Sequence, residues 1–261
     1  MAEELTRRNY EVERFQGDVT DAQAVRDAVD VDVIFHLASI NSPKPPSRAF
    51  HVNVQGTNNI LEAMKKETLL VYASTGSVYG KPVYSPQDEK HPCVPTDPYS
   101  LSKYAAEGCI NYSVHSYNLK AVILRLYNVV GIGQNRENML STFIKQALMG
   151  EPVQIMGDGK QKRCFTAVED VIQAFILVAF CPAAYGKVFN IAGSETLTVE
   201  QIAETISNTE PVYVNPKSEL PSFEPSIKLA QETFGYSPKK RLRDVLPKLM
   251  EWLKGEMLVE A

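Results

Sequence analysis

The sequence predicts an α/β protein: a doubly wound parallel sheet with a smaller, loop-rich lobe toward the C-terminus. Three observations carry that prediction. Short apolar, β-branched runs stand at 31–39 ("VDVIFHLAS"), 68–75 ("TLLVYAST") and 120–130 ("KAVILRLYNVV"). Continuous apolarity of this kind belongs to strands buried on both faces, as in parallel sheets. Helical patterns fill the intervals at 47–66 and 99–117, so strands and helices alternate at the spacing of crossover units. After residue 130 the texture changes, and glycine and proline become frequent in "GIGQNREN", "MGDGKQKR" and "YVNPKSELPSFEP".

In chain order, strand 31–39 leads into helix 47–66, which contains "NILEAMKK". Strand 68–75 runs into the hydroxyl-bearing "STGSVYG" (74–80), and helix 99–117 leads into strand 120–130. Helices at 138–149, 168–180, 198–207 and 242–254 follow, separated by loops that could close over a ligand.

Composition narrows the class. The 261 residues are 44% hydrophobic and 22% charged, as in ordinary soluble domains. The formal charge of −4 gives no drive toward nucleic acid or acidic membranes. The longest apolar stretch, "AFILVAFCPAAY" at 174–185, is too short to span a bilayer, and the charged N-terminus is not a secretory signal. Cys93, Cys109, Cys164 and Cys181 stand far apart with no CxxC pair. They read as reduced thiols of a cytoplasmic protein, with no metal site.

Within "DPYSLSKYAAEG" (97–108), Tyr99 and Lys103 lie four residues apart, side by side on a helix face. Thr75 ends the preceding strand, and open α/β sheets bind ligands at the carboxyl ends of their strands. All three would face one crevice. A free tyrosine titrates near ~10 and is a poor base at neutral pH, whereas a nearby ammonium favours the phenolate. His36 reads as a core histidine with a hydrogen-bond partner.

Eight motifs in one order now matter together: "GDVTD" (17–21), "HLAS" (36–39), "NVQGTNNILEA" (53–63), "STGSVYG", "YSLSK" (99–103), "RLYNVVG" (125–131), "GDGKQKRCFTAVEDV" (157–171) and "FNIAGSETLTVEQIA" (189–203). With them the chain resembles the extended short-chain dehydrogenase/reductase superfamily, and most of all its NAD-dependent epimerase/dehydratase family, of the UDP-glucose 4-epimerase kind. The resemblance implies a Rossmann-like dinucleotide-binding domain over 1–130 plus about 165–192, and a substrate-binding lobe over 131–164 and 193–261. It implies Tyr99 as base, Lys103 as its electrostatic partner and ribose contact, and Thr75 as the hydroxyl on the same substrate oxygen. It places Asp18, Val19, Leu37, Ala38, Ser39 and Tyr127 along NAD. Asn128, Asn138, Met139, Gln154 and Arg163 fall on the sugar nucleotide, with Ile155 and Met156 beside Gln154. Arginine suits a diphosphate because of its fixed fork of donors.

The pattern departs from the family in several places. The first glycine is Gly17, and no GxxGxxG or GxGxxG occurs. The resemblance therefore implies a chain lacking the first strand, glycine turn and helix, with NAD binding weakened accordingly. Val52 stands where relatives often have Thr or Asn, and Cys164 replaces an aspartate. Pro216 holds the place of a second phosphate-gripping arginine, for which Lys217 could substitute, with Glu219 and Phe223 nearby. Dehydratases and decarboxylases commonly carry acids after the strand-end hydroxyl; here Gly76 and Ser77 stand there, and neither is an acid.

The expected function is NAD-dependent epimerisation of a small-molecule nucleotide sugar, a UDP-hexose, by a homodimer that binds neither nucleic acid nor membrane. Two alternatives stay open: an NAD(P)-dependent carbonyl or keto-sugar reductase using the same trio, and a non-catalytic nucleotide-sugar binding protein.

Overall fold

The computed structural model describes residues 1–41, 45–217 and 220–260, the last two of these by backbone only. The chain opens with helices α1 (Ala2–Arg7) and α2 (Ala22–Ala28), followed by strand β1 (Val33–His36). The side chain of Asp21 caps α2 by accepting from the amides of Gln23 and Ala24. Next come α3 (Ser47–Phe50), a π-helical turn (His51–Gln55) and α4 (Gly56–Ala63). The helix predicted over 47–66 is thus interrupted by a π turn, a form that clusters at functional sites.

Strand β2 (Leu69–Thr75) leads through a 3₁₀ turn (Gly76–Tyr79) to α5 (Pro98–Tyr117), then β3 (Lys120–Leu126) and β4 (Val129–Val130). Helix α5 starts where it does because Asp97 and Ser100 form a reciprocal capping box and Pro98 sits in the first turn. It ends at Asn118, in left-handed geometry. The apolar run 120–130 splits into β3 and β4 because Asn128 adopts φ 32°, which asparagine tolerates better than most residues.

The remaining elements are α6 (Met139–Leu148), β5 (Gln154–Met156), β6 (Lys162–Cys164), β7 (Thr166–Ala167), α7 (Val168–Ala179) and β8 (Val188–Ile191). They are followed by β9 (Thr196–Thr198), α8 (Val199–Ile206), β10 (Val212–Val214), α9 (Lys228–Phe234) and α10 (Leu242–Glu260).

Among the described residues the main sheet runs β1-β2-β3-β8, and all three pairings are parallel. Its two faces explain the unbroken apolarity of the strands. Leu69 and Val71 of β2, with Val122 and Leu124 of β3, pack against Val171, Ala174, Phe175 and Val178 of α7. The alternate residues Leu70, Tyr72, Ala121 and Ile123 pack against Val25 of α2, Ile60 and Leu61 of α4, and Ala106 and Ile110 of α5. Period-two alternation sends successive side chains to opposite faces, and both faces are covered. A separate core joins α6, α8, α10 and β5 through Leu140, Phe143, Ile155, Ile202, Leu249 and Leu253. Short pairings complete this second body: β5 with β10, β4 with β7 and, antiparallel, β6 with β9.

No helix among the described residues is long and apolar enough to cross a membrane. The four cysteines are free thiols.

Leu124 is fully buried in the middle of the sheet. Leu124→Ala should cost about 2–5 kcal/mol in urea unfolding, the range for emptying such a site. A loss below ~1 kcal/mol would contradict the packing described.

Candidate active site

Strands β1, β2 and β3 end side by side at one edge of the sheet, and a cleft of about 950 Å³ opens there. Leu37 and Ser39 beyond β1, Thr75 at the end of β2 and Leu126 at the end of β3 form its sheet-side wall. The facing wall comes from the loop 131–138 and from Arg163, Pro221 and Phe223.

Thr75, Tyr99 and Lys103 all line this cleft. Thr75 is 8% exposed, and its Oγ1 accepts the Ser77 amide at 3.1 Å. That bond caps the 3₁₀ turn and leaves the hydroxyl proton free to donate. Tyr99 sits in the first turn of α5. Burial pushes its phenol above the ordinary value; hydrogen bonding from Thr75 acts in the opposite direction, and the Asp97 carboxylate adds to the rise. Lys103 is 1% exposed, and its Nζ lies 4.0 Å from the centroid of the Tyr72 ring. Burial draws its pKa down to about 7, and Glu107 resists that fall.

The sequence argument had Lys103 drawing Tyr99 down. The structure shows a different balance: burial dominates both groups, and Lys103 is not among the causes acting on Tyr99.

Several other predicted residues also reach the cleft. Arg163 directs its Nη1 to the carbonyls of Lys162 (2.8 Å) and Pro221 (2.7 Å) and packs over Phe223 at 5.0 Å. Among the described residues it has no carboxylate partner, and burial lowers its pKa. Asn128 and Asn138 line the cleft while serving the fold: Asn128 donates to Cys164 O at 2.9 Å, and Asn138 caps α6 through the Ser141 amide.

Tyr127 lines the cleft with its ring. That ring lies against Gly76, where an added Cβ would fall 2.6 Å from it, and the phenol oxygen is buried without a hydrogen-bond partner. Tyr127 therefore supplies a surface and no donor to the cleft.

Six predicted residues stand outside the wall of the cleft. Asp18 is exposed and turned into its own loop, accepting from the Thr20 amide and hydroxyl, both at 2.9 Å. Val19 is buried against Gly56. Ala38 is exposed beside the wall, because β1 ends at His36. Met139 begins α6 and packs on the C-terminal core. Gln154 is exposed on β5, flanking the buried Ile155 and followed by the exposed Met156. Lys217 is exposed and does not line the cleft. Glu219 lies outside the described residues.

The sequence reading missed the polar groups behind the wall. Asn53, in the π turn, accepts from Ser39 Oγ (3.2 Å) and the Ile40 amide (2.9 Å) and donates to Ile40 O (3.0 Å) and Ser102 Oγ (2.9 Å). Ser102 in turn donates to Tyr99 O at 2.7 Å. Glu107 and Arg125 form a buried pair, described below. One signal could have found them: a charged residue inside the apolar run "KAVILRLYNVV" is buried only when paired.

The residues present suit one end of a nicotinamide cofactor. The Lys103 ammonium has no hydrogen-bond acceptor among the described residues and faces the cleft, where vicinal ribose hydroxyls would satisfy it. For the diphosphate the chain has no glycine-rich turn.

The fold and this cleft define a nucleotide-binding α/β enzyme class. Residues 2–192 match the NAD dependent epimerase/dehydratase family, and the chain belongs to it. A Methanocaldococcus jannaschii protein provisionally named UDP-glucose 4-epimerase is similar at 34% identity over 242 residues, 87% of this chain and 78% of that protein. The mouse dTDP-D-glucose 4,6-dehydratase is similar at 29% identity, over 95% of this chain and 75% of its own length. Among solved structures, UDP-glucose 4-epimerase of Thermotoga maritima, with UDP-glucose, aligns with a TM-score of 0.85 at 25% identity, covering 98% of this chain and 94% of that one.

His36 lies behind the cleft, buried, with Nε2 3.0 Å from Thr57 Oγ1 and its ring beside Tyr72. Burial, with Lys103 adding, lowers its pKa to about 3. The folded state keeps it neutral, while the unfolded chain takes up a proton near ~6.5. Its contribution to stability is complete above that value and is lost as pH falls toward 3. The melting temperature should therefore drop through this window, and His36→Gln should flatten the slope. Equal slopes in the two proteins would contradict this.

Proposed function

We propose that this protein epimerises a nucleotide sugar, with a UDP-hexose as substrate. The observation that supports the reading most is the convergence of Thr75, Tyr99 and Lys103 on one cleft, with a glycine after Thr75. Tyr99 takes the proton from a sugar hydroxyl, and Thr75, whose hydroxyl can donate, holds the same oxygen. Lys103 supplies positive charge beneath them, and its field on Tyr99 grows as a ligand fills the cleft and displaces water. Lys103 would hold the ribose of NAD, and the cofactor would supply reversible hydride acceptance at the sugar carbon. Arg163 takes the diphosphate, over the ring of Phe223.

Elimination chemistry of the dehydratase kind is disfavoured by a steric feature. An acid at position 76 would need a Cβ only 2.6 Å from the Tyr127 ring. Epimerisation needs no such acid.

Conversion of UDP-glucose to UDP-galactose, followed by chromatography with NAD supplied, tests the reading. Absence of any hexose epimerisation across UDP-sugars would refute it. Given turnover, Tyr99→Phe should abolish it while leaving the melting temperature close to the parent's, since one oxygen is lost; retained turnover removes Tyr99 as base. Arg163→Ala should weaken UDP binding by about 1.5–3 kcal/mol in titration calorimetry, the range for hydrogen bonds to a charged group. Equal affinities would exclude Arg163 from the diphosphate site.

A further inference from the structure

Behind the cleft, one carboxylate touches every element that carries the trio. Glu107 is 1% exposed and stands one helical turn beyond Lys103 on α5. Its Oε1 accepts from Ser74 Oγ and from Arg125 Nε at 3.1 Å, and its Oε2 accepts from Arg125 Nη2 at 2.6 Å. Ser74 directly precedes Thr75 on β2. Arg125 lies on β3, in register with Ser74, two residues before Tyr127. Its guanidinium also covers the Tyr79 ring at 4.7 Å, at the end of the 3₁₀ turn that Thr75 caps.

We propose that Glu107 is the positioning residue of this site: it fixes α5 against the end of β2 and places a negative charge one helical turn from Lys103. The two roles follow from the same geometry. A bidentate arginine pair allows only one orientation of the carboxylate, and the Ser74 bond then sets the height of the helix against the strand. Tyr99 and Lys103 are thereby placed relative to Thr75 by a bond one to two turns away.

The charge argument is equally local. Among the described residues the groups acting on Lys103 are Glu107 from its own helix, His36 from β1 and the ring of Tyr72 from β2, while Tyr99, one turn earlier on the helix, lines the same cleft. Arg125 of β3 is engaged by the carboxylate. His36 is neutral, and Tyr72 offers only its ring face. Among the described residues Glu107 is the one anion acting on a buried ammonium that burial otherwise drives toward its neutral form.

The inference rests on the cleft being the active site, but its test reads an ionisation and not turnover. The Lys103 side chain can be followed by NMR with ¹³C at lysine Cε through a pH titration, its signal assigned by Lys103→Met. In Glu107→Gln the midpoint should fall by about one pH unit below the wild-type value. Glu107→Gln leaves a buried guanidinium without its anion and lowers stability. Glu107→Leu combined with Arg125→Leu replaces the pair by apolar groups, a change buried pairs often tolerate. The Lys103 midpoint should be lowered in this double variant as well. A midpoint unchanged from wild type in whichever variant folds would overturn the proposal and leave Glu107 a structural residue alone.

Discussion

A carboxylate and a guanidinium taken out of water together are stable only if each satisfies the other's hydrogen bonds. The Glu107–Arg125 pair meets that demand with two direct bonds, plus one from Ser74. The rest of the site depends on this constraint, because the pair joins α5 to β2 and β3 at the level where these strands end. Apolar packing alone would hold α5 on the sheet, but it is non-directional and would tolerate small sliding. The buried polar contacts do not tolerate it. The Asn53 cluster adds a second directional lock, from the loop after β1 to Ser102 and so to the backbone of Tyr99.

How much of this was legible in the sequence differs by element. The central strands were legible because burial on both faces leaves continuous apolar runs, and β2 and β3 begin within one residue of their predicted starts. The helix 99–117 was legible to within one residue. The π turn at His51–Gln55 was not, since its residues suit an ordinary helix and its geometry follows from what Asn53 bonds to. Nor was the break at Asn128, where a single left-handed residue divides one apolar run into two strands. Tertiary contacts override local pattern at both positions.

For the site, the motif carried the three residues at the carboxyl end of the sheet, and all three line the cleft. It did not carry the peripheral contacts as well. Asp18, Met139 and Gln154 stand outside the cleft wall: a loop carboxylate bonded to Thr20, a methionine packed on the C-terminal core, and an exposed strand position. Spacing reports which face of an element a residue occupies. It does not report how the loops between elements are folded, and the second wall of this cleft is made largely of loops.

The electrostatics of the cleft show why burial has to be weighed before proximity. A tyrosine and a lysine four residues apart invite the conclusion that the ammonium lowers the phenol. In the open cleft both lose water, and each moves toward its neutral form: the phenol upward, the ammonium down to about 7. A neutral pair exerts little mutual field, so proximity gains force only when something keeps the ammonium charged. Glu107 opposes the loss of charge from below, and a ligand with acceptor oxygens would oppose it from above. The ammonium is thus set by a chain of influences, from Arg125 through Glu107, with burial setting the cost at each step.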